Sequence, residues 1–191
     1  TIQGANGISE MTTSLSRLLK SISKGTSLLI DIREELSLLE NYFTIQSYRY
    51  GGTITMDIQV DDDNLYNSQI IKFTLQPLVE NAIFHGIEPK GCAGHIQIHV
   101  GYEAPNNTEN IRIDVMDDGV GMTAEKAAQV LRSNDDSSAD FFREIGVSNV
   151  HKRLQYQFGA EYGITIESKA GEYTTMSIHI PNIIFKADEN A

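Results

Sequence analysis

Apolar residues near the start of the chain recur at helical spacing, with Met11, Leu15, Leu18, Leu19 and Ile22 on one face and Gly25 following as a stop. This predicts an amphipathic helix from Ser9, whereas residues 1 to 8, with two glycines and no period, read as a frayed terminus. Asp31 and Glu34 resemble a capping box. Ile32, Leu36, Leu39, Tyr42 and Phe43 continue the apolar stripe of a second helix toward Gly51-Gly52. The period then drops to two, with Ile54, Met56, Ile58 and Val60 on one side of a strand. A helix is predicted from Leu75 to Ile87, with Pro77 in its first turn, where a missing N–H costs little. Ile96, Ile98 and Val100, and then Ile111, Ile113 and Val115, alternate on either side of a Pro105-Asn106-Asn107 turn. Thr123 to Arg132 reads as a Thr-capped helix, Ser133 to Ala139 as a polar mobile loop, and Val147 to Phe158 as a helix ended by Gly159. Tyr162 to Ser168 and Thr174 to Ile180 read as closing strands. Helices mixed with hairpin-like strands after residue 52 predict an α+β fold, a two-layer α/β sandwich preceded by a helical segment. The expected division is a helical segment 1–51, a globular domain 52–186 and a tail 187–191.

Composition narrows the ligand. The 191 residues are 40% hydrophobic, enough for one full core with an appendage. A net charge of −11, from 15 basic and 26 acidic residues, excludes a broad nucleic-acid surface, so a phosphate ligand must be held locally. No apolar run of membrane-spanning length and no signal pattern occur. The single cysteine, Cys92, rules out an internal disulfide, fits a reducing compartment, and has no base partner in sequence. Asp61-Asp62-Asp63 reads as a solvated turn, because three consecutive carboxylates do not converge.

Three segments carry candidate chemistry. In Gln76 to Gly86, Asn81 and His85 stand four residues apart and share a helical face; an amide oxygen there can ligate a hard cation and an imidazole can reach a polyphosphate. Glu80 is a second candidate, as a general base, but adjacent helical residues point about 100° apart and cannot both face one ligand. Asp117 ends a strand before a turn in which Gly119 and Gly121 permit close backbone approach, and its carboxylate can accept from an exocyclic amine. Gly146 precedes a helix and leaves N–H groups free to meet phosphate. Each has a plainer alternative: a polar residue between helices for Asn81, a helix cap for His85, an Asp-Gly turn for Asp117, a terminal glycine for Gly146. His151, Lys152 and Arg153 read as surface groups. No P-loop and no protein-kinase catalytic loop is present.

The order Asn81, Asp117-x-Gly119-x-Gly121, Gly146-x-x-Asn149 resembles the N, G1 and G2 boxes of the GHKL superfamily of gyrase B, Hsp90, MutL and histidine kinases. More narrowly, Gln76 to Ile83 with His85-Gly86-Ile87, and Gly146 to Leu154, are similar to the LytS/YesM type of sensor histidine kinase. Gly171 with Thr174-Thr175 stands where the last glycine-threonine box would be. Upstream, Leu15 to Leu19, Glu34-Glu35-Leu36, Asn41-Tyr42, Ile45-Gln46 and Arg49-Tyr50-Gly51 resemble the segment joining dimerisation helices to the catalytic domain in that type.

The resemblance implies a Bergerat-type sandwich that binds ATP and Mg²⁺. It implies that Asn81 holds the metal, Asp117 reads the adenine amine, Gly119, Gly121 and Gly146 shape the pocket, His85 lies near the phosphates, Thr175 contacts the nucleotide, and residues 122 to 145 form a lid. It further implies a phosphoacceptor helix, a response regulator as partner, a homodimer in full length, and a cytoplasmic portion of a bacterial membrane protein. Four positions depart from the pattern: Phe84 where a basic residue is common, Asp118 for Asn, Glu144 for the first G2 glycine, and Tyr173 before Thr174. None of His85, His95, His99, His151 or His179 precedes the Phe-x-x-Asn run of the phosphoacceptor, so the chain is expected to be a fragment unable to phosphorylate itself. Two rivals remain: a degenerate signalling module, and a GHKL ATPase. The ATPase would need a water-activating Glu one turn before Asn81, and that position is Pro77.

Overall fold

Glycines and aromatic residues set how the two N-terminal helices meet. The computed structural model describes residues 2–23, 27–104, 107–132 and 141–185, with backbone only for 2–6, 8, 22, 23, 107, 132 and 141–145. Helix α1 (Ile2–Ser23) runs antiparallel to α2 (Ile32–Arg49). It begins well before Ser9, so the expectation of a frayed terminus is corrected for residues 2 to 8. At Gly7 an added Cβ would lie 2.9 Å from the Tyr48 ring, and Tyr48 Oη donates to Glu10 at 2.6 Å. The expected stop at Gly25 lies outside the described residues.

A short ribbon replaces the expected capping box. Strand β1 (Leu29–Asp31) pairs antiparallel with β3 (Gln69–Ile71), and the Asp31 carboxylate accepts from the Gln69 side chain instead of capping α2. Three-residue strands are too short for periodicity to reveal them. At its other end α2 stops where Gly51 and Gly52 take φ of +63° and +78°, a region open to glycine without steric cost.

The main sheet has the order β2-β4-β5-β7-β6, formed by Ile54–Val60, Gly94–Ala104, Asn107–Asp117, Tyr173–Pro181 and Gly163–Lys169. Only β2 with β4 is parallel among these pairs, the chain crossing between them through α3 (Leu75–Asn81). Register carries the apolar positions across the sheet: Val100 pairs with Ile113, Ile113 with Ile178, and Ile178 with Ile164. These residues share one buried core with Leu78, Val79 and Ile83 and with Val147, Val150 and Leu154 of α5 (Phe141–Phe158). Each such side chain contributes about 1.5–3 kcal/mol on burial. The other sheet face is polar, which gives the expected two-layer sandwich.

Two boundaries differ from the sequence reading. The helix expected from Leu75 to Ile87 is α-helical to Asn81, then π-helical over Ala82–Ile87 and 3₁₀ over Glu88–Lys90. Helix α5 begins at Phe141 instead of Val147. Helix α4 (Ala124–Arg132) starts as expected, with the Lys126 N–H on the Thr123 hydroxyl at 3.3 Å. The expected Ser133 to Ala139 loop and the tip at Pro105-Asn106 lie outside the described residues.

Candidate functional site

A cleft of about 210 Å³ opens between the α3 and π-helical run, the paired ends of β5 and β7, and α4. Its walls bring together Asn81, His85, Gly86, Asp117, Gly121, Met122, Lys126, Val130 and Thr174. Asn81 ends the α-helix and His85 sits inside the π-helical run, so both present side chains to the cleft across the change of helix type.

Asp117 lies at the strand end expected of it and is 4% exposed. Its Oδ1 accepts the Gly119 N–H at 2.9 Å. Burial pushes its pKa up to about 6; the Gly119 N–H opposes this, the neighbouring Asp118 adds to it, and Lys90 opposes it. The carboxylate rests against Gly86, where a Cβ would stand 2.4 Å from Oδ1. A Cβ at Gly119 would stand 2.3 Å from the Gly86 carbonyl carbon, and the Val120 N–H donates to the Gly86 carbonyl at 2.9 Å. A carboxylate so enclosed has acceptor capacity left over for a donor in the cleft. Asp118 faces elsewhere: its carboxylate accepts the His95 N–H at 2.9 Å and meets the Lys90 ammonium at 3.1 Å.

The turn after β5 is held against the β6–β7 hairpin. Gly121 has φ of +59°, and a Cβ there would fall 2.0 Å from the Lys169 carbonyl oxygen. The Met122 N–H donates to Ser168 Oγ at 2.8 Å, and Ser168 Oγ lies 2.9 Å from Thr174 Oγ1. The cleft therefore takes Thr174, which is 3% exposed. Thr175, the residue named from sequence, pairs with Met116 on the opposite, open face of the sheet. The two neighbours point to opposite faces because strand side chains alternate with a period of two.

Two further expectations change. Gly146 lies inside α5, not at its entrance, and a Cβ there would be 3.3 Å from Pro77 Cβ. Its smallness serves the contact of α5 with α3, and it is not among the cleft residues. Glu80 also lies outside the cleft: it accepts from Gln76 Nε2 at 2.9 Å, and the Tyr42 hydroxyl on α2 lies beside it. Phe84 packs on the core beneath the Arg49 guanidinium, 5.5 Å from its ring centre, and is not among the cleft residues. The side chain of Glu144 lies outside the described residues. His151, read as a surface group, is half-buried and accepts the Ile164 N–H at 2.9 Å.

Gly86 and Thr174 stand within the sequence motifs, and Met122, Lys126 and Val130 within the expected lid, but the sequence singles out none of the five as a contact; all line the cleft. Met122, Lys126 and Val130 recur every four residues, the helical spacing that would have placed a cation between two apolar groups on one wall. Chemically, the cleft joins a buried acceptor to an amide, an imidazole and an ammonium group.

Comparison with known proteins agrees with this geometry. The family model for histidine kinase-, DNA gyrase B-, and HSP90-like ATPases matches residues 66–184, and a histidine kinase model matches residues 1–54. The putative uncharacterized protein YwpD of Bacillus subtilis is 31% identical over 82% of this chain and 52% of its own length. Sensor histidine kinase YesM of the same species is 33% identical over 91% of this chain and 28% of its own length. Sensor protein kinase HptS of Staphylococcus aureus is 28% identical over 87% and 31%. The chain thus spans about half or less of these relatives. Among solved structures, the catalytic domain of histidine kinase ThkA superposes with a TM-score of 0.59 at 16% identity, covering 82% of this chain and 97% of that one. The ShkA structure in complex with AMPPNP gives 0.60 at 13% identity, covering 93% and 36%. These two likenesses concern the fold. The model spanning the cleft describes ATPases, so the residues it matches form an ATP-binding domain. Through residues 66–184, well over half of its length, the chain belongs to the histidine kinase-, DNA gyrase B- and HSP90-like ATPase family.

Proposed function

We propose that the cleft holds ATP with Mg²⁺ and that the chain is the catalytic region, residues 52–186, and an adjoining helical segment, residues 1–51, of a two-component sensor histidine kinase. The observation carrying this reading is the Asp117 carboxylate, buried against Gly86 and the Gly119 N–H where a flat, amine-bearing heterocycle can supply its missing donor. In this reading Asp117 accepts from the adenine amine, while Gly119 and Gly121 leave room for the base and the turn. Met122 and Val130 cover the apolar surface of the nucleotide. His85 and Lys126 meet phosphate oxygens, and Thr174 offers a hydroxyl at the β7 end.

Asn81 is the residue to hold Mg²⁺. Among the described residues no group of three or more His, Cys, Asp or Glu converges. One amide oxygen completed by phosphate oxygens and water is the donor set that Mg²⁺ takes at nucleotide sites. Bound there, the ion would neutralise phosphate charge.

The reaction moves the γ-phosphoryl of ATP to a histidine ring nitrogen, releasing ADP, and then to an aspartate of a response regulator. The phosphoacceptor would lie on a dimerisation helix outside the matched domain, in a homodimer whose full form is anchored in a bacterial membrane, with this region on the cytoplasmic side. No described helix of the chain is itself long and apolar enough to cross a membrane. Pro77, packed on Gly146 one turn before Asn81, offers no base to activate water, which favours transfer over hydrolysis. The test is a labelled-ATP assay with a histidine-bearing dimerisation helix joined to the chain. Acid-labile label on the helix is expected. Free phosphate without labelled protein would favour the ATPase reading.

A further inference from the structure

The back of the helix that carries Asn81 and His85 is gripped by α2 at three levels. At its start the Glu35 carboxylate, 2% exposed, accepts the Phe73 N–H on Oε2 and the Leu75 N–H on Oε1, both at 2.9 Å. Thr74, at the N-cap, makes no side-chain cap bond; its hydroxyl donates to Ile71 at 2.6 Å, so the donors at this helix entrance are met by a residue about forty positions upstream. The entrance is also strained, with Phe73 at φ +58°. Midway, the Glu80 carboxylate lies beside the Tyr42 hydroxyl and, with burial, raises its pKa. At the far end the Tyr50 hydroxyl donates to Glu88 at 2.8 Å, and the Arg49 guanidinium lies over Phe84 and 3.9 Å from Glu88.

Glu80, Phe84 and Glu88 thus face α2, while Asn81 and His85, each one position further on, face the cleft. We propose that Glu35 is a positioning residue for the nucleotide site: by capping α3 from α2, it makes the placement of Asn81 and His85 depend on the placement of the α1–α2 segment. This rests on the nucleotide reading given above. Burial pushes the Glu35 carboxyl up, the Leu75, Phe73 and Thr74 N–H groups pull it back, and the Arg153 charge assists them. A buried carboxylate held by two backbone donors tolerates little displacement, because any shift strands the acceptor and the donors together. The π-helical run from Ala82 to Ile87 follows on the same rod, a rare form that is frequent at functional sites. A shift of α2 therefore reaches Asn81 and His85 through the capped start of the rod.

The test uses the full chain and Glu35→Gln, whose amide keeps one acceptor oxygen and turns an NH₂ toward a backbone donor. Tyr42→Phe serves as a milder variant that removes one hydroxyl. Ile111→Ala, in the sheet core far from Asp117 along β5, controls for lost stability alone. Two readouts are taken on folded protein: affinity for a non-hydrolysable ATP analogue with Mg²⁺, and amide hydrogen exchange across 73–87. Positioning predicts that Glu35→Gln weakens binding about tenfold or more, the scale of one charge-assisted hydrogen bond, and Tyr42→Phe several-fold less. Exchange in 73–87 should quicken in both, while Ile111→Ala keeps its affinity. Wild-type affinity in both α2 variants, with binding intact in the parent, overturns the positioning role alone. Absence of binding by the folded parent chain overturns the nucleotide reading and this proposal with it.

Discussion

Asp117 concentrates the conflict between stability and binding at a single residue. Its carboxyl has a pKa raised to about 6 in the fold, against 3.8 for the free group. A raised carboxyl holds its proton more tightly when folded, so stability is greatest below the free value and falls as pH rises from about 4 to about 6. Two units correspond to about 3 kcal/mol. Asp117→Asn should therefore stabilise the ligand-free protein by up to about 3 kcal/mol at pH 7, with little gain at pH 4, while removing nucleotide binding. Thermal melts at the two pH values, with and without nucleotide, check both halves. Because the ionised form is the stronger acceptor for an amine N–H, wild-type affinity should fall as pH drops below about 6. Gly86→Ala should drive a methyl into this carboxylate, costing about 1–3 kcal/mol and most of the binding, readable by denaturant titration and calorimetry. Lys126 is exposed on α4, so Lys126→Ala should leave the melt unchanged and weaken ATP about tenfold without weakening adenosine, measured by parallel titrations. Asp117 was legible in the sequence because a strand end and two glycines flank it. Gly86 was not, since its reason for being glycine is a carboxylate 31 positions away, brought near only by the fold.

The elements that period fixes strongly came out where their patterns put them. Strands β2, β4, β5, β6 and β7 follow apolar alternation, and the glycines at 51, 52 and 159 end helices at positive φ. Failures cluster where a local signal competes with a long-range one. Asp31 and Glu34 spell a cap, yet Gln69 takes the Asp31 carboxylate through the β1–β3 ribbon. Gly146 looks like a helix entrance, yet α5 begins five residues earlier and uses the glycine to meet Pro77. At β7 the sequence points to Thr175, whereas the strand places Thr174 in the cleft and Thr175 opposite Met116 on the other face. Thr174→Val should lower nucleotide affinity several-fold, whereas Thr175→Val should leave it unaltered; competition binding against a labelled analogue separates the two.

Across the whole molecule, one sheet face is closed by helices and the ligand cleft lies at the edge of that closed side, where β5 and β7 end beneath α4. A chain of net charge −11 that takes a polyphosphate cannot rely on its overall field, which repels the ligand. Local donors and a divalent ion must supply the attraction, so binding should depend on Mg²⁺. The helical pair at the start, matched separately as part of a histidine kinase, is attached to this domain through the rod that carries Asn81. Most directly, the central claim is tested by calorimetric titration of a non-hydrolysable ATP analogue into the wild-type chain and Asp117→Asn, each with and without Mg²⁺. One site per chain is expected, strengthened by Mg²⁺ in the wild type and absent in the substituted protein. Folded wild-type protein that takes up no nucleotide, or an Asp117→Asn chain that binds as well as its parent, would contradict it.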